Sequence, residues 1–523
     1  SNHTTMKQNA RIQMSWLGLL LLAGLCPTVG AAELKFSLAA AAGNFELGSG
    51  FAVVGDWNGD GVADIAVADR SARVGGNFAS GMVYVVSGAD GSLLRSYTGT
   101  PAASQNFGAA LAAVDADGDG IPDLAVGSPG LAGGGGYGAG GVDIYAGADG
   151  ALLLHMVGPA GSQLGVALAN AGDQNGDGAE ELYAGAPNAN ASRGGVMVVS
   201  GKDGRILRQI TTDASTSGFG VSLAALGDVD GDGLNDVAVG APAFRGTFYQ
   251  QGRVLLVRSS GDVAGPELVG SSFYNRLGES LASAADANGD GLPDLLIGSY
   301  SGGTARLVSG ADFSTLADLS IPTLPLYRPL TVGGSLDFDG DGTPDWLIGS
   351  SGLGMVNNQV VGGIRVVSGA DHRTLFENTA AAPYTGLGQV IKVLPGFGFA
   401  AGETSLRDPV TLGYGVAHVW QVSSDADGDG VLDAVDVIPH SVMDPTVIIL
   451  GVDSGVVNRV NEQGITLADR FAALADVSDY QVPALCFVKV QQLSTSLARE
   501  ALLSKEEDRQ ISTAARRGAL PAR

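Results

Sequence analysis

Acidic residues recur along this chain in one fixed pattern. The phrase Asp-x-[Asp/Asn]-x-Asp-Gly-x-x-[Asp/Glu] is written six times in the same register. Its side-chain oxygens come first from Asp56, Asn58, Asp60 and Asp64, then from Asp115, Asp117, Asp119 and Asp123. The third copy supplies Asp173, Asn175, Asp177 and Glu181, and the fourth Asp228, Asp230, Asp232 and Asp236. The last two copies supply Asp286, Asn288, Asp290 and Asp294, then Asp337, Asp339, Asp341 and Asp345. Carboxylates crowded into so short a loop repel one another unless a hard cation sits between them. Calcium suits an oxygen-only set, taking about 6–8 oxygens. The backbone carbonyl at the seventh position (Val62, Ile121, Ala179, Leu234, Leu292 or Thr343) offers one more. An EF-hand closes on a glutamate at position twelve. Here that position holds Val67, Val126, Ala184, Val239, Ile297 and Ile348, so the acid at position nine must close the site. Solvated acidic turns are the plainer alternative for any single copy; six copies in one register favour metal sites.

Other chemistry is sparse. The five histidines (His3, His155, His372, His418 and His440) form no His-Glu-x-x-His. Gly-x-Ser-x-Gly, a P-loop lysine and Cys-x-x-Cys are also missing from the sequence. A carboxylate pair for polysaccharide cleavage stays open, because acids are abundant. Binding anchors are better sought among aromatics and arginines on the loops that vary between repeats. Those are Phe244, Arg245, Phe248 and Tyr249, with Tyr137 and Tyr300 in neighbouring units. Ordinary loop packing is the alternative for each.

The phrases begin at Asp56, Asp115, Asp173, Asp228, Asp286 and Asp337, an interval of 51 to 59 residues. A period of this size means a solenoid, an array or a propeller. Each phrase is preceded by an apolar segment opened by Phe-Gly or Leu-Gly, as in FGVSLAALG from Phe219. Each runs straight into a short apolar stretch such as DVAVGAP. Two further apolar runs follow, split by a hairpin signal such as GADG. Four short strands per unit suit the blade of a β-propeller. Openings near Leu47, Phe107, Leu164, Phe219, Leu277, Leu330 and Leu387 predict seven blades over Glu33–Ser424. The seventh unit lacks the acidic loop and stops after three strands. An orphan strand, Leu34–Leu38, is expected to complete it and close the ring, removing an exposed edge.

Composition agrees with a turn-rich, mainly β protein: 81 of 523 residues are Gly, 45% are hydrophobic and 16% are charged. The net charge of −25 excludes nucleic acid and anionic membrane surfaces as partners. The start reads as a signal peptide over residues 1–32, with Lys7 and Arg11 before an apolar run from Trp16 to Leu25. That run is too short to span a bilayer, so no membrane-spanning segment is expected in the mature chain. Export to a secreted, periplasmic or cell-surface location follows. Cleavage would remove Cys26 and leave Cys486 alone, so metal ions would have to do the work of disulfides. At a calcium concentration ten times the dissociation constant, each site would add ~1.4 kcal/mol.

The units resemble FG-GAP repeats, the blades of integrin α subunits, in a bacterial secreted version. FGVSLAALGDVDGDGLNDVAVGAP from Phe219 carries the Phe-Gly, the acidic loop and the Gly-Ala-Pro in order. The resemblance implies a seven-bladed propeller with calcium in the loops between first and second strands. It also implies adhesion or recognition of an extracellular protein or glycan on the opposite face. An enzyme acting on an extracellular polysaccharide and a purely structural surface protein are the alternatives.

After the ring, a seventh acidic loop offers Asp425, Asp427, Asp429, Asp433 and Asp436, with the carbonyl of Val431. It resembles the calcium-binding linkers of thrombospondin type 3 repeats, over residues 425–446. Helix signals, including the capping box Ser504-x-x-Glu507, predict a small helical module over 447–523.

Overall fold

The computed structural model describes residues 31–40, 45–100, 102, 104–133, 138–212, 218–300, 303–320, 329–356, 359–395, 398–406, 414–423, 446–449, 452–457 and 510. The chain divides into two compact units, one holding Glu33–Asp337 and Gly342–Gln421, the other Val422–Arg523.

The first unit is a seven-bladed β-propeller of antiparallel four-stranded sheets. Blade four shows the plan: Ser222–Gly227, Asp236–Gly240, Arg253–Val257 and Val263–Val269 pair in sequence order. Its second strand is buried throughout, as are Asp123–Gly127, Glu181–Gly185 and Asp294–Gly298 in their blades. Such a strand is covered on both faces by neighbouring blades, which is why it reads as a continuous apolar run. Successive blades share a core. Val237, Val239 and Leu255 of blade four pack with Tyr183, Val196 and Val198 of blade three.

The Phe-Gly openings lock blade to blade. Phe107 and Phe219 are fully buried. Residues at the openings bridge, in parallel, to the glycine before the preceding blade's third strand: Gly140 to Leu164, Gly194 to Phe219 and Gly252 to Leu277. Gly194 has φ +92°, and a Cβ there would lie 2.3 Å from the Phe219 carbonyl oxygen. Only glycine permits that backbone approach. The second glycine of the opening, Gly220, donates its N–H to the Gly240 carbonyl at 3.1 Å. Phe-Gly of one segment and Gly-Ala-Pro of the next are therefore parts of one joint.

The ring closes as expected. Ala31–Ala39 is the outer strand of the last blade, beside Val416–Ser423, Gly398–Gly402 and Val390–Leu394. The observed strand is longer than Leu34–Leu38. Across this seam Ser37 Oγ hydrogen-bonds His418 Nδ1 at 2.8 Å. Blades five and six pair Arg306 with Asp318 and Arg365 with Glu377 at the matching place.

Most of the expected helical module over 447–523 lies outside the described residues. Among the described residues the second unit holds an antiparallel hairpin, Thr446–Ile449 with Val452–Val457, and Gln510 in helical conformation. Thr446, Ile449, Val452 and Val457 belong to runs rich in β-branched residues, which favour strands. The capping box at Ser504 and Cys486 lie outside the described residues, as does the signal-peptide region before Ala31.

Candidate metal centres and the opposite face

Antiparallel strands alternate in direction, so the loops of a blade alternate between two faces. The acidic loops join first to second strands. The hairpins after third strands lie on the same face and meet them.

Within each acidic loop the first aspartate organises the backbone. In loop four Asp228 Oδ1 accepts the N–H groups of Gly231 and Asp232 at 2.6 and 3.0 Å, and Oδ2 accepts Gly233 N–H at 2.7 Å. Asp56, Asp115, Asp173 and Asp286 each repeat this set. Those donors favour the carboxylate, so Asp173, Asp228 and Asp286 are held below the usual range. The glycines at φ near +80° let the loop curl around the acid, among them Gly231 at +83° and Gly233 at +89°.

The ninth-position acid behaves oppositely. Asp64, Asp123, Glu181, Asp236, Asp294 and Asp345 are all fully buried. Asp236 Oδ2 accepts Val229 N–H at 3.0 Å and its Oδ1 accepts Ser259 N–H at 2.7 Å. The acid therefore ties its own loop to the hairpin after the third strand. Asp64, Asp123 and Asp294 do the same to Gly88, Gly147 and Gly310. Burial pushes the carboxyls of Asp64, Asp123, Glu181, Asp236 and Asp294 up, Asp123 to about 6, with Asp117 and Asp119 adding repulsion there. A cation among them would relieve both effects.

The donor set fits such a cation in four loops. Carboxylate oxygens of Asp115, Asp117 and Asp123 lie within 4.8 Å of one another. So do those of Asp173, Asp177 and Glu181, of Asp228, Asp230 and Asp236, and of Asp337, Asp339 and Asp345. The longer Glu181 reaches where an aspartate stands elsewhere. Loops one and five differ. Like loop three they carry an amide at the third position, but the Nδ2 groups of Asn58 and Asn288 donate to Asp60 and Asp290 at 2.9 Å, whereas Asn175 donates to the ninth-position Glu181 at 2.8 Å. The fifth-position acids Asp119 and Asp232 also take hydrogen bonds, from Ile121 N–H and Leu234 N–H. Basic groups approach two sites: Arg258 Nε lies 3.2 Å from Asp230, and Lys202 Nζ donates to the Asp177 carbonyl at 3.2 Å. The linker positions Asp425, Asp427, Asp429, Val431, Asp433 and Asp436 lie outside the described residues.

On the opposite face, the loop after the second strand of blade four meets the connection from blade four to blade five. Tyr274 N–H donates to the Tyr249 carbonyl at 3.0 Å and Arg276 N–H to the Gln250 carbonyl at 3.0 Å. These bonds set Phe248 edge-on to Phe273 at 5.1 Å and Tyr249 edge-on to Tyr274 at 5.3 Å. The Arg245 guanidinium lies 4.0 Å from the centre of the Tyr249 ring. Phe273, Tyr274 and Tyr249 are 59%, 47% and 36% exposed, so the cluster is a surface and not a core. Phe244 instead packs against the core beneath Arg253, and Tyr300 is half-buried beside Arg276. Tyr137 lies outside the described residues. Phe273 and Tyr274 were not anticipated. The signal was the aromatic pair in GSSFYNRLG, just before a Leu-Gly opening.

Among the described residues no helix is long and apolar enough to cross a membrane. An FG-GAP repeat family model matches residues 107–145 and 219–257, each running from the opening of a blade to the end of its third strand. Integrin alpha-5 of Xenopus laevis is 30% identical over 203 residues, covering 35% of this chain and 19% of that protein. Integrin alpha-V of Gallus gallus is 29% identical over 212 residues (37% and 20%), and integrin alpha-7 of Homo sapiens 35% over 190 residues (33% and 16%). The matched region spans about a fifth of the length of these relatives. With the seven sheets, the Phe-Gly joints and the phased acidic loops, these matches place FG-GAP repeats in the second and fourth blades of a propeller that is similar, over about a third of the chain, to part of integrin alpha chains.

Proposed function

We propose that this is an exported propeller that binds calcium in its acidic loops and uses the other face to recognise an extracellular protein or glycan. The exposed cluster of Arg245, Phe248, Tyr249, Phe273 and Tyr274 carries the recognition reading. Aromatics and arginine at a fixed site are the usual anchors of binding surfaces. Backbone hydrogen bonds hold this cluster in place before any partner arrives, which lowers the ordering cost of binding. Integrin-type relatives support adhesion as the class of function.

Calcium supports the reading from the opposite face. The ligands are the acids of positions one, three, five and nine with the carbonyl of position seven, an all-oxygen set suited to calcium. The ion's chemistry here is structural: it neutralises carboxylates that the fold forces together. Loops two, three, four and six are the strongest sites, and loops one and five, with Asn58 and Asn288, the weaker ones.

The test is binding to an array of glycans and matrix proteins in millimolar calcium and in EDTA, using the wild-type chain and a Phe273→Ala, Tyr274→Ala double variant. A hit that the double variant loses, at unchanged thermal stability, supports recognition by this face. A hit that the variant keeps would move the site elsewhere, and no hit would leave a scaffold as the better reading.

A further inference from the structure

The innermost strands of the seven blades surround a central channel, each in contact with the next around the ring. Their register can be compared directly, because every one pairs with its second strand. The residue opposite Ala66 in blade one is Ala52. At the same register stand Ala112, Ala169, Ala224, Ala282 and, in blade six, Gly334. Blade seven breaks the pattern with Lys392, opposite Ala400.

Lys392 is exposed, while its neighbours Ile391 and Val393 are buried. On an innermost strand, the water it meets is that of the channel. The channel walls nonetheless desolvate it, and burial holds its ammonium below the usual lysine range. Desolvation is the sole influence: no acidic group among the described residues offsets it. A lone, uncompensated cation is notable in a chain of net charge −25. One residue earlier on the other inner strands, Leu111, Leu168, Leu223 and Leu281 are half-buried. They lie one strand step, ~3.3 Å, along the channel from the level of Lys392. They pack against the blade cores and keep part of each side chain exposed.

We propose that the central channel at Lys392 binds a small monocarboxylate with an aliphatic body. One ammonium matches one carboxylate, and the half-buried leucines offer apolar contact to its chain. A phosphate would call for several converging donors, and among the described residues no second charged group acts on Lys392. This proposal is independent of the aromatic face and of the metal loops.

The probe is octanoate, titrated calorimetrically into the full chain in calcium buffer, with acetate and octan-1-ol alongside. We expect one saturable octanoate per chain, weaker acetate and weaker octanol. Lys392→Met keeps the length of the side chain and removes its charge, and should weaken octanoate by ~10-fold or more. Lys392→Arg should retain it. No saturable octanoate binding to the wild-type chain, or equal binding to Lys392→Met, would overturn the proposal. Should Lys392→Met unfold, NMR of the wild-type chain with 13C-methylated lysines decides. Octanoate must shift one lysine signal, assigned to Lys392 by its loss in Lys392→Arg, and absence of such a shift refutes the site.

Discussion

The ninth-position acid is predicted to be a structural staple as well as a metal ligand, and Asp236→Asn separates the two roles. Asp236 is fully buried and accepts two backbone N–H groups, one from the acidic loop and one from the hairpin after the third strand. Asparagine has the same shape but a single acceptor oxygen. One amide would then face the NH2 group without a partner, at a cost of about 1–3 kcal/mol. The surviving bond would lose its charge assistance, roughly 1 kcal/mol more. Removing a buried charge that Asp230 and Asp232 repel offsets the lost charge assistance, so the variant should be about 1–3 kcal/mol less stable in EDTA, before any metal is considered. In calcium at ten times the dissociation constant, the deficit should widen by the share of one site, ~1.4 kcal/mol. Urea unfolding followed by circular dichroism, in EDTA and in calcium, measures both parts. Equal stability of variant and wild type in EDTA would refute the staple. A deficit that does not widen in calcium would refute the metal role at this loop.

Three further outcomes are expected. Gly194→Ala places a Cβ 2.3 Å from the Phe219 carbonyl oxygen at φ +92°, so it should cost about 3 kcal/mol or more in the same unfolding assay. Burial pushes Asp69 up to about 7 against the pull of the Phe45, Glu46 and Ser71 N–H groups. Its folded value lies above its unfolded one, so its contribution is full below about pH 4 and is lost as pH rises through about 7. Asp69→Asn should flatten the fall in stability between about pH 4 and pH 7, read from urea midpoints in EDTA. Asn58→Asp removes an amide donor from Asp60 and adds a carboxylate to loop one. It should tighten calcium binding there, seen by calorimetry as one additional or stronger site.

The repeat made most of the fold legible in the sequence. Six copies of one phrase fixed the blade length, and the unmatched LKFSL segment pointed to ring closure because a three-stranded last blade leaves an open edge. The buried position-twelve residues, Val67 to Ile348, follow from the same register. What the pattern could not show was how the loops differ inside. Asp, Asn and Glu look interchangeable in the phrase, yet Asn58 and Asn288 donate an amide to the fifth-position acid while Asn175 donates to Glu181, which still reaches a shared cluster. The aromatic surface was half legible. Phe248 and Tyr249 stood out as loop aromatics, but their partners Phe273 and Tyr274 come from the next connection and are joined only by backbone pairing. Lys392 hid inside an apolar strand, where a single charge reads as a solvent-facing residue until the ring makes that strand the innermost of its blade. In the tail, the capping pattern near Ser504 says nothing about Thr446–Val457, whose β-branched residues form a hairpin.

Metal content tests the central claim most directly. The full chain would be dialysed against millimolar calcium, then assayed for bound calcium and thermal unfolding, with an EDTA-treated sample beside it. At least four calcium ions per chain are predicted, with a clear rise in melting temperature over the EDTA sample. Fewer than one bound ion per chain, with melting unchanged by EDTA, would contradict a calcium-stabilised propeller and leave the acidic loops as solvated turns.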